Sequence, residues 1–479
     1  MDAAIVASRL LDLQGRSILV IGDVMLDRFV DGKVDRLSPE APVPVLELAR
    51  ETVMPGGAAN VACNLAALGC DVRLLSVSGN DAAGRSLAQL LGTNLSIDFH
   101  QIIDSERPTT TKTRFRADGR QVLRVDEEVT TPVSEATAKQ LLATFAEAVK
   151  SVEIVLLSDY AKGVVSPKVI QQLIELSNKA GKPVVTDPKL ADFSIYAGST
   201  MLTPNLSELQ QAVESSGGAL DEIAEAAARL ALKHDIKSIL VTLSARGMLL
   251  VNKDGSWTHD PARTLEVFDV SGAGDTVIAM VGAALAGDLP PMEAVRLANI
   301  AAGVVVAKSG TAIASPGEII AIAGAISPKL TWDALATICE DWRRDSQRIG
   351  FANGCFDLLH PGHIHLLKTA AAACDRLVVG LNSDRSVSRL KGEARPLQNE
   401  DQRAAVLSQL PFVDGVAVFG EDTPLELIKT LQPDFIFKGG DYTPETVVGA
   451  EIVAARGGEV VIIPTLGSHS SSAIIGGSR

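Results

Sequence analysis

The sequence has few cysteines, and it has no long hydrophobic run. Its five cysteines are an odd number, and they include no Cys-x-x-Cys pair. This pattern predicts neither a disulfide framework nor a zinc ribbon, and it suits a reducing cytoplasm. The amino terminus carries an early acid without a long apolar core, and no apolar run reaches the roughly 18 residues that a membrane-spanning helix needs. We therefore expect an untargeted, soluble, cytoplasmic protein.

Positive charge is also scarce. Lysine and arginine number 44 against 58 aspartates and glutamates, which gives a net charge of -14. This balance argues against a broad surface for nucleic acid or for an anionic membrane. Any phosphate group must therefore be bound locally. At 479 residues the chain is too long for one hydrophobic core, so we expect two or more domains.

Alternating strands and helices are predicted along the first three-fifths of the chain. Short apolar runs predict strands at residues 18–21, 154–157, 183–186 and 238–242. Apolar residues at helical spacing predict helices at residues 60–68, 168–179 and 222–234. This order predicts an α/β domain with crossover units and a mostly parallel sheet. Residues 30–48 and 109–126 interrupt the order, and we interpret them as β-ribbons at the edge of the sheet.

A second α/β series follows a change in composition. Leu335, Ile338 and Trp342 lie at helical spacing, which predicts an ordered helical connector. Further strands are predicted within residues 348–354, 377–383, 413–420, 435–440 and 459–465. We therefore predict an α/β protein with domains at residues 1–328 and 347–479, joined by a connector at residues 329–346.

The motif DVSGAGDT, residues 269–276, leads directly into a helix of small apolar residues. The amides of Gly272, Ala273 and Gly274 are placed to form an anion hole at a helix N-terminus, which suits a phosphate in transfer. Asp275 would share that pocket, where a carboxylate can take the proton of an attacking hydroxyl. The alternative is a structural helix start, with glycines for close packing and Asp275 as a cap.

Two more motifs accompany it, MPGGAANVACNLAALG at residues 54–69 and TPNLSE at residues 203–208. Together the motifs resemble the ribokinase-like family of sugar kinases over roughly residues 10–315. The resemblance implies an αβα sandwich whose β-ribbons form a lid over the sugar, often with a dimer contact through the lid. It further implies Asp275 as the catalytic base, Asn205 and Glu208 as residues that order Mg²⁺-bound ATP, and Asp23 and Asn60 as ligands of sugar hydroxyls.

A row of basic residues lies within the predicted lid. Lys112, Arg114 and Arg116 share one face of a strand, because side chains alternate with period two. The row could receive a phosphate already present on the sugar, and Lys189 in TDPK is a second candidate for that phosphate. The alternative is a solvated strand face.

The stretch NGCFDLLHPGHIH, residues 353–365, holds three of the seven histidines. His360 and His363 are three residues apart and straddle a Pro-Gly pair, whereas zinc proteases place two histidines four apart on one helix. The segment follows a predicted strand, and His363 lies where a helix would begin. Imidazoles in that position are suited to hold nucleotide phosphates.

The same stretch resembles the G-x-F-D-x-x-H-x-G-H signature of the cytidylyltransferase-like nucleotidyltransferases, over about residues 348–479. The resemblance implies a Rossmann-like domain in which His360 and His363 stabilise the pentavalent phosphorus. Lys391 and Arg403 are candidate charge partners, with a solvated pair as the alternative. The remaining candidate binding residues are Phe356, Asp357, Asp441 and Ser471. One departure is that HSSSAIIGGSR has glycine where relatives that use CTP usually have an arginine.

The order of the two domains resembles the bifunctional heptose 7-phosphate kinase and heptose 1-phosphate adenylyltransferase family of lipopolysaccharide biosynthesis. The resemblance implies ATP and heptose phosphates as partners and Mg²⁺ entering with ATP, with no direct protein-held metal and no tightly bound cofactor. It also implies a homodimer through the kinase lid. Two alternatives remain open: another phosphorylated sugar or a CTP donor, and a nucleotide-binding scaffold with inactive sites.

Overall fold

The computed structural model describes residues 3–94, 96–213, 217–262, 268–324, 329–392, 395–408, 410–440 and 442–464. The chain divides into two compact units. We call Leu10–Ala314 the N-terminal unit. The other unit comprises the chain from Ser315 onward together with the residues up to Arg9, and we call it the C-terminal unit.

The strands of the N-terminal unit are β1 (Ser17–Gly22), β2 (Val24–Leu37), β3 (Pro44–Gly57), β4 (Asp71–Gly79), β5 (Ile97–Asp104), β6 (Thr111–Ala117), β7 (Arg120–Glu127), β8 (Ile154–Ser158), β9 (Val184–Asp187), β10 (Met201–Leu202), β11 (Ser238–Thr242), β12 (Met248–Asn252) and β13 (Trp257–Asp260). The helices are α1 (Ala3–Leu11), which crosses the division, and α2 (Ala58–Ala67), α3 (Ala82–Gly92), α4 (Glu135–Ala148), α5 (Pro167–Lys179), α6 (Leu206–Val213), α7 (Leu220–Lys233), α8 (Ala273–Ala286) and α9 (Pro291–Val306). Short 3₁₀ helices span Val149–Ser151, Phe193–Tyr196 and Ser244–Arg246.

The described residues of this unit form a nine-stranded sheet in the order β13-β12-β11-β10-β9-β8-β1-β4-β5. The pairings from β11 through to β5 are parallel, and β12 and β13 add an antiparallel edge. Every residue of β8 is buried, as expected for a central parallel strand covered on both faces. The mostly parallel sheet predicted from the sequence is confirmed.

The two predicted ribbons form a separate four-stranded sheet in the order β3-β2-β6-β7, which we call the lid. β2 follows β1 after a single residue, Asp23, so the lid starts at the carboxyl end of a core strand. β2 pairs in parallel with β6, and the register places Asp27 beside Lys112 and Asp31 beside Arg116. The acidic residues of one strand therefore neighbour the basic residues of the next.

The strands of the C-terminal unit are β14 (Ile349–Gly354), β15 (Arg376–Asn382), β16 (Gly415–Phe419), β17 (Phe435–Gly439) and β18 (Glu459–Ile463). Its helices are α10 (Pro316–Gly324), α11 (Trp332–Arg344), α12 (Pro361–Ala372), α13 (Asp384–Lys391), α14 (Glu400–Ser408), α15 (Leu425–Leu431) and α16 (Ala450–Ala455), with a 3₁₀ helix at Pro444–Thr446. The described strands form a parallel sheet in the order β16-β15-β14-β17-β18. Strand order reverses between β14 and β17, and ligands of such sheets bind at the carboxyl ends beside this switch point.

The C-terminal unit begins earlier than the predicted boundary at residue 328. The Gly317 amide donates a 2.5 Å hydrogen bond to Asp341, which ties α10 to α11. Leu335 and Cys339 of α11 are buried in one core cluster with strand β14. The segment predicted as a connector is therefore a helix of the C-terminal unit's own core.

Candidate active sites

Asp275 is held by two hydrogen-bond donors at the start of α8. Its Oδ2 accepts from Asn60 Nδ2 at 2.8 Å, and its Oδ1 accepts from the Tyr160 hydroxyl at 2.6 Å. Burial raises the pKa of Asp275 to about 6 even though these two hydrogen bonds lower it, and the charge of Asp27 adds to the rise. A carboxyl with this pKa is mostly ionised at neutral pH and can accept a proton.

The turn before α8 requires glycine. Gly272 is the N-cap residue in the left-handed region, with φ 79°, and a Cβ on it would lie 2.9 Å from Asn60 Nδ2. The first amides of an α-helix have no intrahelical acceptor, so the Gly274 and Asp275 amides are available to an anion. The Ala273 amide differs, because it already donates to the Val270 carbonyl at 3.3 Å. The predicted anion hole therefore has fewer available amides than the three that we expected.

Asn205 and Glu208 form a reciprocal cap at the start of α6. The Asn205 amide donates to Glu208 Oε2 at 3.0 Å, and the Glu208 amide donates to Asn205 Oδ1 at 2.9 Å. Glu208 Oε1 also accepts from Lys189 at 2.9 Å, so Lys189 is paired here and not with the lid.

Asp187 lies at the carboxyl end of β9, close to the acids Glu208 and Asp275. It was not among the predicted site residues. It accepts from the Thr203 hydroxyl at 3.0 Å. Burial and the charges of Glu208 and Asp275 raise its pKa well above the usual value. Its position after an apolar strand is the signal that could have identified it.

Asp23 has a different role from the predicted contact with sugar hydroxyls. Its carboxylate is fully buried and accepts the backbone amides of Tyr160, Lys162 and Val164 at 2.9, 3.1 and 3.1 Å. Both of its oxygens therefore fasten the loop that carries Tyr160. Asp27, four residues further on, is buried beside Gly56 and close enough to Asp275 to affect its pKa, so it is better placed to meet a sugar.

The basic row of the lid is paired with acids of the lid itself. Lys112 contacts Asp126 and Glu128 at 3.1 Å each. Arg114 pairs with Asp27, and Arg116 donates to Asp31 at 2.7 and 2.8 Å. The side chains of Arg114 and Arg116 are only 15% and 19% exposed, which excludes a solvated strand face.

The two signature histidines of the C-terminal unit stack at the switch point. His360 is the N-cap residue of α12, and its ring lies 3.8 Å from that of His363 between centroids. Phe356 contacts His363 edge-on at 5.0 Å. Burial is the main cause that lowers the pKa of His363 to about 4, with the charges of His360 and Lys391 acting in the same direction and the Leu358 backbone opposing them. His363 is therefore a neutral imidazole at neutral pH.

Asp357 and Arg403 are structural supports beneath this site. Buried Asp357 accepts the Leu397 amide at 2.7 Å and pairs with Arg395 at 2.5 Å. Arg403 has no exposed side-chain surface and donates to the carbonyls of Cys355 and Asn382, at the ends of two strands, at 2.5 and 2.9 Å. These contacts replace the nucleotide and phosphate contacts predicted for both residues. The predicted Asp441 and Ser471 lie outside the described residues.

Lys438, which the sequence reasoning missed, lies at the carboxyl end of β17. Its ammonium donates to Asn353 Oδ1 at 3.0 Å and lies 5.5 Å from the centre of the Tyr442 ring. Burial lowers its pKa. The described residues place no carboxylate in ion-pair contact with this cation, so an anionic ligand would complete its environment.

Within the described residues, no group of three or more histidine, cysteine or acidic side chains is arranged to bind a metal ion. None of the helices in that part of the chain is both long and apolar enough to cross a membrane.

The two units match two separate enzyme families. Residues 16–317 match the pfkB family of carbohydrate kinases, and residues 351–474 match the cytidylyltransferase-like family. The bifunctional protein HldE of Hyphomonas neptunium is 49% identical over 471 residues, which are 97% of this chain and 97% of that protein. HldE of Paramagnetospirillum magneticum is 47% identical over 477 residues, 98% of each chain. The chain belongs to the HldE family.

Solved structures resemble the kinase unit of this HldE-family chain. The ribokinase of Arabidopsis thaliana, solved with ribose and ATP, matches with a TM-score of 0.53 at 21% identity, covering 65% of this chain and 99% of the ribokinase. At that identity the likeness concerns the fold, and it confirms the predicted ribokinase-like sandwich. The HldE-family chain thus joins a carbohydrate kinase unit to a cytidylyltransferase-like unit.

Proposed function

We propose that the protein is a bifunctional enzyme of ADP-heptose biosynthesis for the lipopolysaccharide inner core. The N-terminal unit phosphorylates D-glycero-β-D-manno-heptose 7-phosphate at O1 with ATP. The C-terminal unit transfers the adenylyl group of ATP to heptose 1-phosphate and releases pyrophosphate. The observation that carries the proposal is that one chain contains both a buried carboxylate at a helix N-terminus and a stacked histidine pair at a switch point.

In the kinase reaction, Asp275 accepts the proton of the sugar O1 hydroxyl as that oxygen attacks the γ-phosphorus. A bond forms between O1 and phosphorus, the bond to the β-phosphate oxygen breaks, and ADP leaves. The Gly274 and Asp275 amides stabilise the charge that develops on the transferring group. Mg²⁺ commonly binds through one or two carboxylates together with substrate phosphates, so Asp187 and Glu208 suit Mg²⁺ that arrives with ATP and neutralises phosphate charge.

The lid supports a sugar that already carries a phosphate. A guanidinium has five N–H donors, so Arg114 and Arg116 can donate to a phosphate while each keeps its carboxylate partner. Their guanidinium groups lie 5.2 and 4.8 Å from the centre of the Phe29 ring, which fixes both on one side of the lid. We assign the 7-phosphate to this row and not to Lys189, which is paired with Glu208.

In the adenylyl transfer, the attacking group is a sugar phosphate that is already ionised, so no general base is required. His360 and His363 donate hydrogen bonds to oxygens of the α-phosphate as the new P–O bond forms and pyrophosphate leaves. Lys391, whose charge acts on His363, and Lys438 supply positive charge for the phosphates.

The lid also supports a homodimer. Its strand β7 exposes Val122, Leu123 and Val125 at 50%, 56% and 43% of their surfaces, and a second lid would cover them. Both reactions consume ATP, so we place the enzyme in the cytoplasm, with ATP and heptose phosphates as its partners.

Phosphorus NMR tests both assignments. One mixture contains the protein, Mg²⁺, ATP and heptose 7-phosphate, and a second contains heptose 1-phosphate in its place. We expect ADP and a 1,7-bisphosphate in the first, and pyrophosphate and ADP-heptose in the second. Activity only with another phosphorylated sugar, or only with CTP in the second mixture, would refute the assigned substrates. ATP binding without turnover in either mixture would favour a scaffold.

A further inference from the structure

We propose that Tyr160 is a positioning residue of the kinase, whose hydroxyl keeps Asp275 ionised and oriented for the sugar hydroxyl. The inference rests on the proposed kinase function and adds a residue that acts through the base. The Tyr160 hydroxyl donates to Asp275 Oδ1 at 2.6 Å, and Asn60 holds the other oxygen at 2.8 Å. With its two oxygens fixed from different elements, the carboxylate plane cannot rotate freely, and each oxygen keeps a further lone pair for a proton.

The surroundings of Asp275 otherwise oppose its charge. The acids Asp27 and Asp187 lie near enough to interact with it, and Asp27 is buried. Two cations of this unit, Arg114 and Lys189, are engaged elsewhere, since Arg114 pairs with Asp27 and Lys189 pairs with Glu208. Donors to the carboxylate are therefore what stabilise its ionised form.

Tyr160 can act only as a donor to the carboxylate. Burial raises the pKa of its phenol well above the usual value, and the charges of Asp275, Asp187 and Asp27 raise it further. The phenol thus keeps its proton throughout the range in which Asp275 titrates. The hydrogen bond strengthens when Asp275 is ionised, because charged acceptors make the stronger bonds.

The loop that carries Tyr160 is built to hold this contact. Asp23 accepts three amides of the loop. Asp159 Oδ1 accepts the amide of Ala161, which has φ 53°, and Asp159 Oδ2 accepts the Tyr196 hydroxyl at 2.6 Å. Two buried acids therefore fix the backbone on either side of Tyr160, which gives its hydroxyl a defined position.

The test compares the pH profile of kinase turnover in the wild type, Y160F and Y442F. Y160F keeps the ring and removes only the donor. We expect its acid limb to move up by roughly one pH unit, with about fivefold lower turnover at pH 6 and nearly normal turnover at pH 8. Titration of the substrate phosphates is common to all three proteins and cancels in the comparison. Y442F removes a phenol hydroxyl of the C-terminal unit, so it should leave the acid limb in place.

The outcomes separate the inference from the proposed function. A wild type that releases no ADP from heptose 7-phosphate refutes the function. If the wild type is active and a folded Y160F loses turnover by the same factor at every pH, the inference is refuted. If Y160F does not fold, 3-fluorotyrosine at the chain's three tyrosines provides a stronger donor with the fold intact. The acid limb should then move down, and an unmoved limb would overturn the inference.

Discussion

The two active sites contain buried titratable groups that respond to burial in opposite directions. Burial raises the pKa of Asp275 to about 6 and lowers that of His363 to about 4. Both shifts have one cause, because removal from water disfavours the charged form, which is the ionised state of a carboxyl and the protonated state of an imidazole. Burial thus prepares a proton acceptor in one unit and neutral hydrogen-bond donors in the other.

This difference agrees with the two proposed nucleophiles. A sugar hydroxyl must lose a proton as it attacks, so its site needs a base whose pKa is near the working pH. A sugar phosphate brings its own charge, so its site needs groups that hold phosphate oxygens. Removal from water therefore serves different chemistry according to which group is removed from it.

The largest expected effect is on the kinase. Asp275→Asn removes the proton acceptor but keeps the shape of the side chain, so ADP release should fall by about a thousandfold. Pyrophosphate release should stay within about twofold of wild type. Asp288→Asn, at an exposed site just beyond the end of the same helix, is the matched control. Loss of both activities in a folded Asp275→Asn protein would contradict independent sites.

The next effect is on the adenylyl transfer. His363→Ala removes one phosphate donor, so pyrophosphate release should fall by roughly a hundredfold while ADP release is unchanged. His365→Ala, on the same helix but outside the signature, should keep pyrophosphate release close to wild type. Equal losses of pyrophosphate release in the two variants would show that the activity depends on the integrity of the helix and not on the His363 imidazole.

A smaller effect is expected at Lys438, the cation at the carboxyl end of β17 in the adenylyl transfer site. Lys438→Met keeps the length of the side chain but removes a charged hydrogen bond, so kcat/KM for adenylyl transfer should fall about 10- to 100-fold. The melting temperature should not fall, because the variant no longer buries a cation. Lys429→Met, at an exposed position that pairs with Glu426, is the control. A normal kcat/KM with a lower melting temperature would indicate a structural lysine.

The sequence predicted those groups whose partners lie within a short motif. The positions of Asp275 after a glycine turn and of His363 after a strand are set by local geometry. The alternation of predicted strands and helices predicted both sheets. Tyr160 is 115 residues from Asp275, and no spacing connects them. For Asp23 the resemblance to the sugar kinases implied a sugar contact, and for Arg403 the positive charge made it a candidate phosphate partner. In the structure Asp23 binds backbone groups up to 141 residues away, and Arg403 binds backbone groups up to 48 residues away as well as Asp384, contacts that only the folded chain brings together.

The most direct test of the opposite protonation states is an NMR titration of wild-type protein labelled at aspartate carboxyl and histidine ring carbons. Asp275→Asn and His363→Ala would assign the two signals. We predict that the Asp275 carboxyl titrates near pH 6 and that the His363 imidazole stays neutral from pH 8 down to pH 5. An Asp275 carboxyl that titrates below about pH 4, together with a His363 ring that gains its proton near pH 6.5, would contradict the account, because these are the values of groups in water.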